Sequence, residues 1–117
     1  MPEFMMLIAD VEKTRAGLPP AEIAASYAKV GQWWEAQEKA GRIKAGFGRR
    51  LQPSATAKTV RVEAASASVT DGPFIESKEV VGGFAIIDAP TIDDAVAMVK
   101  TWPGLFVAIE LRPVLVM

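Results

Sequence analysis

Hydrophobic positions along this chain switch between a spacing of two and a spacing of about 3.6, and each switch marks an element. Glu3 to Ala9 carries the run Phe4-Met5-Met6-Leu7-Ile8, which predicts a strand buried on both faces. Asp10 to Pro20 reads as a polar connection. Pro19-Pro20 then marks a helix start, because proline fits the first turn and cannot continue a preceding helix. Glu22 in that turn suits the positive end of the helix dipole. From Pro20 to Ala40, Ile23, Tyr27, Val30 and Trp34 recur at helical spacing and predict one apolar face. Trp33 falls at the margin of that stripe, where it can cover a neighbouring element or a partner subunit. Gly41 supplies the C-terminal stop.

Beyond the helix the spacing returns to two. Arg42 to Leu51 predicts a strand, with Ile43, Ala45 and Phe47 alternating with Lys44, Gly46 and Gly48. The bare glycine side predicts close approach by a helix or a ligand. Gln52 to Lys58 is a small-residue turn, Thr59 to Glu63 alternates again, and Ala64 to Thr70 can continue it as a hairpin. Val80 to Asp88 predicts a strand centred on Phe84, Ile86 and Ile87. Thr91-Ile92-Asp93-Asp94 resembles a capping box with Thr91 as N-cap. The helix it opens is expected to bury Ile92, Ala95, Val96 and Val99 and to end near Trp102-Pro103-Gly104. In the last strand, Leu105 to Pro113, Val107, Ile109 and Leu111 face one way.

The resulting order predicts a ferredoxin-like α+β domain over residues 1–117, with two helices on one face of an antiparallel sheet. The opposite face stays apolar unless a second copy covers it. Composition adds to that expectation. Half of the 117 residues are hydrophobic and the mean hydropathy is +0.21, more apolar surface than one small domain hides. A homo-oligomer, with a second copy covering that face, is the expected outlet. The formal net charge of −1 marks no general nucleic-acid or membrane partner. Without a basic leader or an apolar span at the N-terminus, the expected location is cytoplasmic.

Cysteine and histidine are both absent, which removes thiolate chemistry, disulfides and the commonest metal ligand and general base. No metal and no cofactor is expected. Chemistry is left to carboxylates, Lys, Arg, Tyr27, hydroxyls and backbone groups. The densest concentration of these is Asp71-Gly72-Pro73-Phe74-Ile75-Glu76-Ser77-Lys78-Glu79, followed by Gly82-Gly83-Phe84. Asp71 reads as a turn former before Gly-Pro or as a carboxylate serving as base or ligand anchor. Glu76, Lys78 and Glu79 read as a charge-paired cluster over a pocket or as a solvated loop with weak ion pairs, and Phe74 joins Glu76 and Lys78 among the candidate ligand contacts. Gly82 and Gly83 permit a bulge or the close approach of a ligand. Arg49 and Arg61, within a basic group that includes Arg42, Lys44 and Arg50, read as holders of a small anionic or polar ligand or as edge charges that block aggregation. Tyr27 reads as core first and as a donor to a ligand second.

Asp71-Gly72-Pro73-Phe74, Glu76-Ser77-Lys78-Glu79 and Gly82-Gly83-Phe84 resemble the signature of the DGPF branch of the YCII-related proteins. Leu51-Gln52-Pro53, Thr91-Ile92-Asp93-Asp94-Ala95 and Glu110-Leu111-Arg112-Pro113-Val114 also suit that family, so the resemblance spans nearly the whole chain. It implies a ferredoxin-like fold that dimerises as an α+β barrel. The family consists mostly of small bacterial proteins of unsettled function, some encoded near or fused to sigma-factor genes. A His–Asp pair proposed as catalytic in other members has no counterpart in a chain without histidine. The expected function is a small-molecule binding or sensing domain. One alternative is a cofactor-independent isomerase, lyase or monooxygenase-like enzyme with Asp71 as acid or base and Arg49 or Arg61 as electrostatic stabiliser. A second is an adaptor linked to sigma-factor regulation.

Overall fold

The computed structural model of the chain describes residues 1–74, 80–104 and 107–117. Its spine is strand β1 (Glu3–Asp10), whose alternating Phe4, Met6 and Ile8 are buried on one face. After β1 come the short helix α1 (Glu12–Ala16), the long helix α2 (Pro20–Lys39) and strand β2 (Ile43–Arg50). A single 3-10 turn at Ser54–Thr56 leads to the hairpin strands β3 (Lys58–Glu63) and β4 (Ser66–Asp71). Strand β5 (Val80–Asp88), helix α3 (Ile92–Val99) and strand β6 (Val107–Pro113) complete the chain. The main sheet has the order β2-β5-β1-β6 with every neighbouring pair antiparallel, which is the ferredoxin-like arrangement. Strands β3 and β4 form a separate two-stranded sheet.

Register places Phe4, Met6 and Ile8 opposite Ile87, Ala85 and Gly83 on one side and Pro113, Leu111 and Ile109 on the other. That face meets Trp33 of α2 and Ala95 and Met98 of α3 to form the core. The far face carries Met5, Leu7, Phe84 and Ile86, all half-buried. Thus β1 is buried on one face rather than on both, because both main helices lie on the same side of the sheet. Among the described residues, no helix is long and apolar enough to cross a membrane.

Helix α2 begins at Pro20 and ends in a Schellman motif. Gly41, at φ 76°, gives its N–H to Glu38 O at 3.0 Å, and the Arg42 N–H reaches Gln37 O at 2.9 Å. Its rotation differs from the expectation. Trp33 and Gln37 are the buried residues, while Ile23, Tyr27, Val30 and Trp34 are only half-buried. The Trp33 Nε1–H donates to Thr101 Oγ1 at 2.7 Å, and its ring meets Trp102 edge-on at 5.2 Å. These contacts turn the helix so that the predicted stripe lies beside the core instead of on it.

Thr91 caps α3 as expected, its Oγ1 accepting the Asp94 N–H at 3.2 Å and its hydroxyl reaching Asp94 Oδ2 at 2.8 Å. The helix buries Ala95 and Met98, with Val99 packed against them; Ile92 and Val96 stay exposed. Eight residues give α3 little more than two turns, so its contact with the sheet is narrow.

Glycine spacing in β2 has two physical causes. Gly46 takes φ 82° where the β2–β5 register slips between Ile43 and Gly48. Gly48 lies under Trp34: an added Cβ would sit 2.5 Å from Trp34 Cζ2 and 3.0 Å from Phe84 O. The close approach expected on that face is therefore made by a helix side chain. Gly31, in contrast, has nothing within 4 Å of an added Cβ and sits mid-helix. Opposite outcomes follow in denaturant titrations. Gly31→Ala should raise stability by about 0.5–1 kcal/mol. Gly48→Ala should lower it by about 1–3 kcal/mol through overpacking.

Candidate functional site

The half-buried stripe of α2 faces a cavity of about 430 Å³ bounded by α1, α2 and one end of the main sheet. Leu18, Ile23, Val30, Trp34, Trp102 and Val107 supply apolar wall. Arg50, at the end of β2, lays its guanidinium over the Tyr27 ring, with Cζ 3.8 Å from the centroid. Both residues line the cavity.

Asp10 is the acidic group in the lining. It terminates β1 just past a bulge, where Ile8 pairs with Gly83 and Ala9 with Val81, so that Gly82 is skipped. Glycine leaves room there for the carboxylate, since a Cβ on Gly82 would lie 3.0 Å from Asp10 Oδ2. The Asp10 side chain is 13% exposed. Its Oδ2 accepts from Arg15 Nη1, one turn into α1, while Oδ1 is buried without a hydrogen-bond partner. Burial is the main reason its pKa lies above the ordinary 3.8; nearby Glu12 pushes the same way, and Arg15 and Arg50 oppose the rise.

Trp102 supplies the second unpaired group. Its Nε1–H is buried and has no acceptor. Gly104 packs against it so tightly that a Cβ there would sit 2.9 Å from Val30 Cγ2. Asp10 and Trp102, the residues that carry these two enclosed atoms, both line the cavity. Glu12 is engaged elsewhere: its carboxylate accepts the Ser54 N–H and hydroxyl, both at 2.8 Å, and these bonds hold its pKa below the ordinary 4.5. Among the described residues, no three carboxylates gather closely enough to hold a metal ion.

Of the residues singled out in the sequence, Tyr27, Arg49, Arg50, Gly82 and Gly83 line this cavity. The Arg49 Nη1 donates to Gly48 O at 2.6 Å and, more weakly, to Gly46 O at 3.4 Å. Asp71, Arg61 and Phe74 belong instead to the hairpin region and are not part of the lining. The Asp71 side chain is 84% exposed and accepts from Lys58 Nζ at 2.6 Å. The Arg61 guanidinium lies 5.0 Å from the Phe74 ring centroid. Glu76 and Lys78 lie outside the described residues. Sequence reasoning did not single out Asp10, Arg15 or Trp102 as site residues. The available signal was an acid ending an apolar strand with an arginine five positions later, a pattern that a polar connection produces equally well.

Two comparisons place the chain among known proteins. It is 44% identical over 52 residues to an uncharacterized protein of Rhizobium meliloti (strain 1021); the match covers 44% of this chain and 42% of that protein. The sequence pattern of the YCII-related domain matches residues 3–117. A match of that extent, on a chain with the ferredoxin-like strand order, shows that the protein belongs to the YCII-related domain family.

Proposed function

We propose that this protein is a small-molecule binding or sensing domain whose ligand occupies the cavity between α2 and the sheet, and that it works as a homodimer. The observation that carries the reading is an apolar cavity whose lining also holds the shielded Asp10 carboxylate and the Arg50 guanidinium laid over Tyr27. The cavity volume of about 430 Å³ lies within the usual range for small-molecule sites. In support of the dimer, Met5, Leu7, Phe84 and Ile86 form an apolar sheet face that no element of the chain covers among the described residues. Two such faces packed together would make an α+β barrel.

A second reading, cofactor-independent acid–base catalysis, is favoured by one observation: Asp10 is a shielded carboxyl with a raised pKa beside two guanidiniums. Asp71, well solvated and bonded to Lys58, lacks that environment. Acid–base work in this chain is therefore better assigned to Asp10.

Stability should report the Asp10 environment. Below pH 3.8 the carboxyl is protonated in both folded and unfolded chains. Between 3.8 and the raised folded value the native state keeps the proton that the unfolded chain has lost, so this group's contribution falls as pH rises across that window. Above the folded value the buried charge remains a fixed cost. Asp10→Asn removes that fall. Urea titrations from about pH 4 to pH 7 should therefore show the variant gaining on the wild type as pH rises, and a constant difference would contradict the assignment.

Ligand occupancy has its own test. Compounds that raise the melting temperature of the wild type should lose their effect on Gly31→Phe, because Gly31 lines the cavity with open space around an added Cβ. Retained shifts would place binding elsewhere. For the dimer, sedimentation at micromolar concentration should give twice the 12.5 kDa chain mass, reverting to the monomer in Leu7→Lys. A wild type that is strictly monomeric there would remove the dimer without touching the cavity.

A further inference from the structure

Charge in the cavity wall is lopsided. Three arginines, Arg15, Arg49 and Arg50, line it against one carboxylate, Asp10, a surplus of two positive charges. Arg15 and Asp10 neutralise one another. Arg49 bonds only to uncharged backbone carbonyls, and neither it nor Arg50 makes an ion pair among the described residues. Arg50 is also pre-set for a ligand. Stacking on Tyr27 uses the face of its guanidinium and leaves the in-plane N–H edge available, the geometry that grips a carboxylate with two parallel bonds.

An anion alone gives the Asp10 carboxylate in the lining nothing to accept, because a carboxylate only accepts hydrogen bonds. The ligand must also bring a donor. An ammonium would add to the surplus of positive charge, so a neutral hydroxyl suits the site better. Tyr27, Trp34 and Trp102 with Ile23 and Val30 offer an aromatic and aliphatic bed for the rest of the molecule.

We propose that the cavity takes a small, apolar-bodied monocarboxylate that also carries a hydroxyl group, with the carboxylate at Arg50 and the hydroxyl at Asp10. This rests on the cavity being the ligand site, and its test separates the two claims. Isothermal titration calorimetry of the full chain uses four probes on one skeleton: para-hydroxyphenylacetate, phenylacetate, para-cresol and tyramine. Para-hydroxyphenylacetate should bind tightest. Phenylacetate, lacking the hydroxyl, and para-cresol, lacking the anion, should each bind about tenfold more weakly. Tyramine, cationic, should bind weakest. Arg50→Gln, at an exposed position, should erase the preference for para-hydroxyphenylacetate over para-cresol when both are measured on the variant. If tyramine equals or exceeds the anion, or Arg50→Gln keeps the anion preference, the ligand class is overturned. The site itself still stands in that case, provided para-cresol binding is lost in Gly31→Phe. Binding that survives Gly31→Phe, or no heat from any probe at millimolar concentration, overturns both.

Discussion

The edge-on contact between Trp33 and Trp102, fixed by the indole N–H of Trp33 on Thr101, sets the rotation of α2. Much of the rest depends on it. With Trp33 and Gln37 turned to the core, the neighbouring stripe of Ile23, Tyr27, Val30 and Trp34 is carried to the side and becomes cavity wall. Trp34 then lies across Gly48, so the helix rides close to β2 at that point while space opens further along. Had Trp34 taken the core position instead, the apolar stripe would be spent on packing and Asp10 would face no room for a ligand.

Period and punctuation made most of the fold legible. Strand β5 spans Val80–Asp88 as its residues predict, Thr91 caps α3, and Gly41 closes α2, because each depends on local geometry alone. What lay opposite the α2 stripe was not legible. A helical period says that one face is apolar, but not whether that face meets a sheet or an opening. Neighbouring positions on a helix differ by only about 100°, and the choice between Trp33 and Trp34 was made by Thr101 and Trp102, nearly seventy positions away. Asp10 was hidden for a similar reason: its isolation comes from a bulge at Gly82 on another strand.

Residues 71–84 are the most conspicuous stretch of the sequence, yet the described part of it divides between two places. Asp71 and Phe74 sit with the exposed hairpin, whereas Gly82 and Gly83 reach the cavity through the bulge. Gly82 therefore shapes the site by leaving room for a carboxylate that belongs to β1. On the hairpin, Val60 and Val69 face one another across the strands with their side chains in solvent. A two-stranded ribbon of this kind has little stability of its own, so its attachment to the body matters.

That attachment runs through Glu12. One carboxylate on a five-residue helix holds both the backbone N–H and the hydroxyl of Ser54, four residues before β3 begins. The same helix supplies Thr14 and Arg15 to the cavity wall. One five-residue helix is thus shared between the cavity wall and the root of the hairpin, so a displacement of α1 would be felt at both.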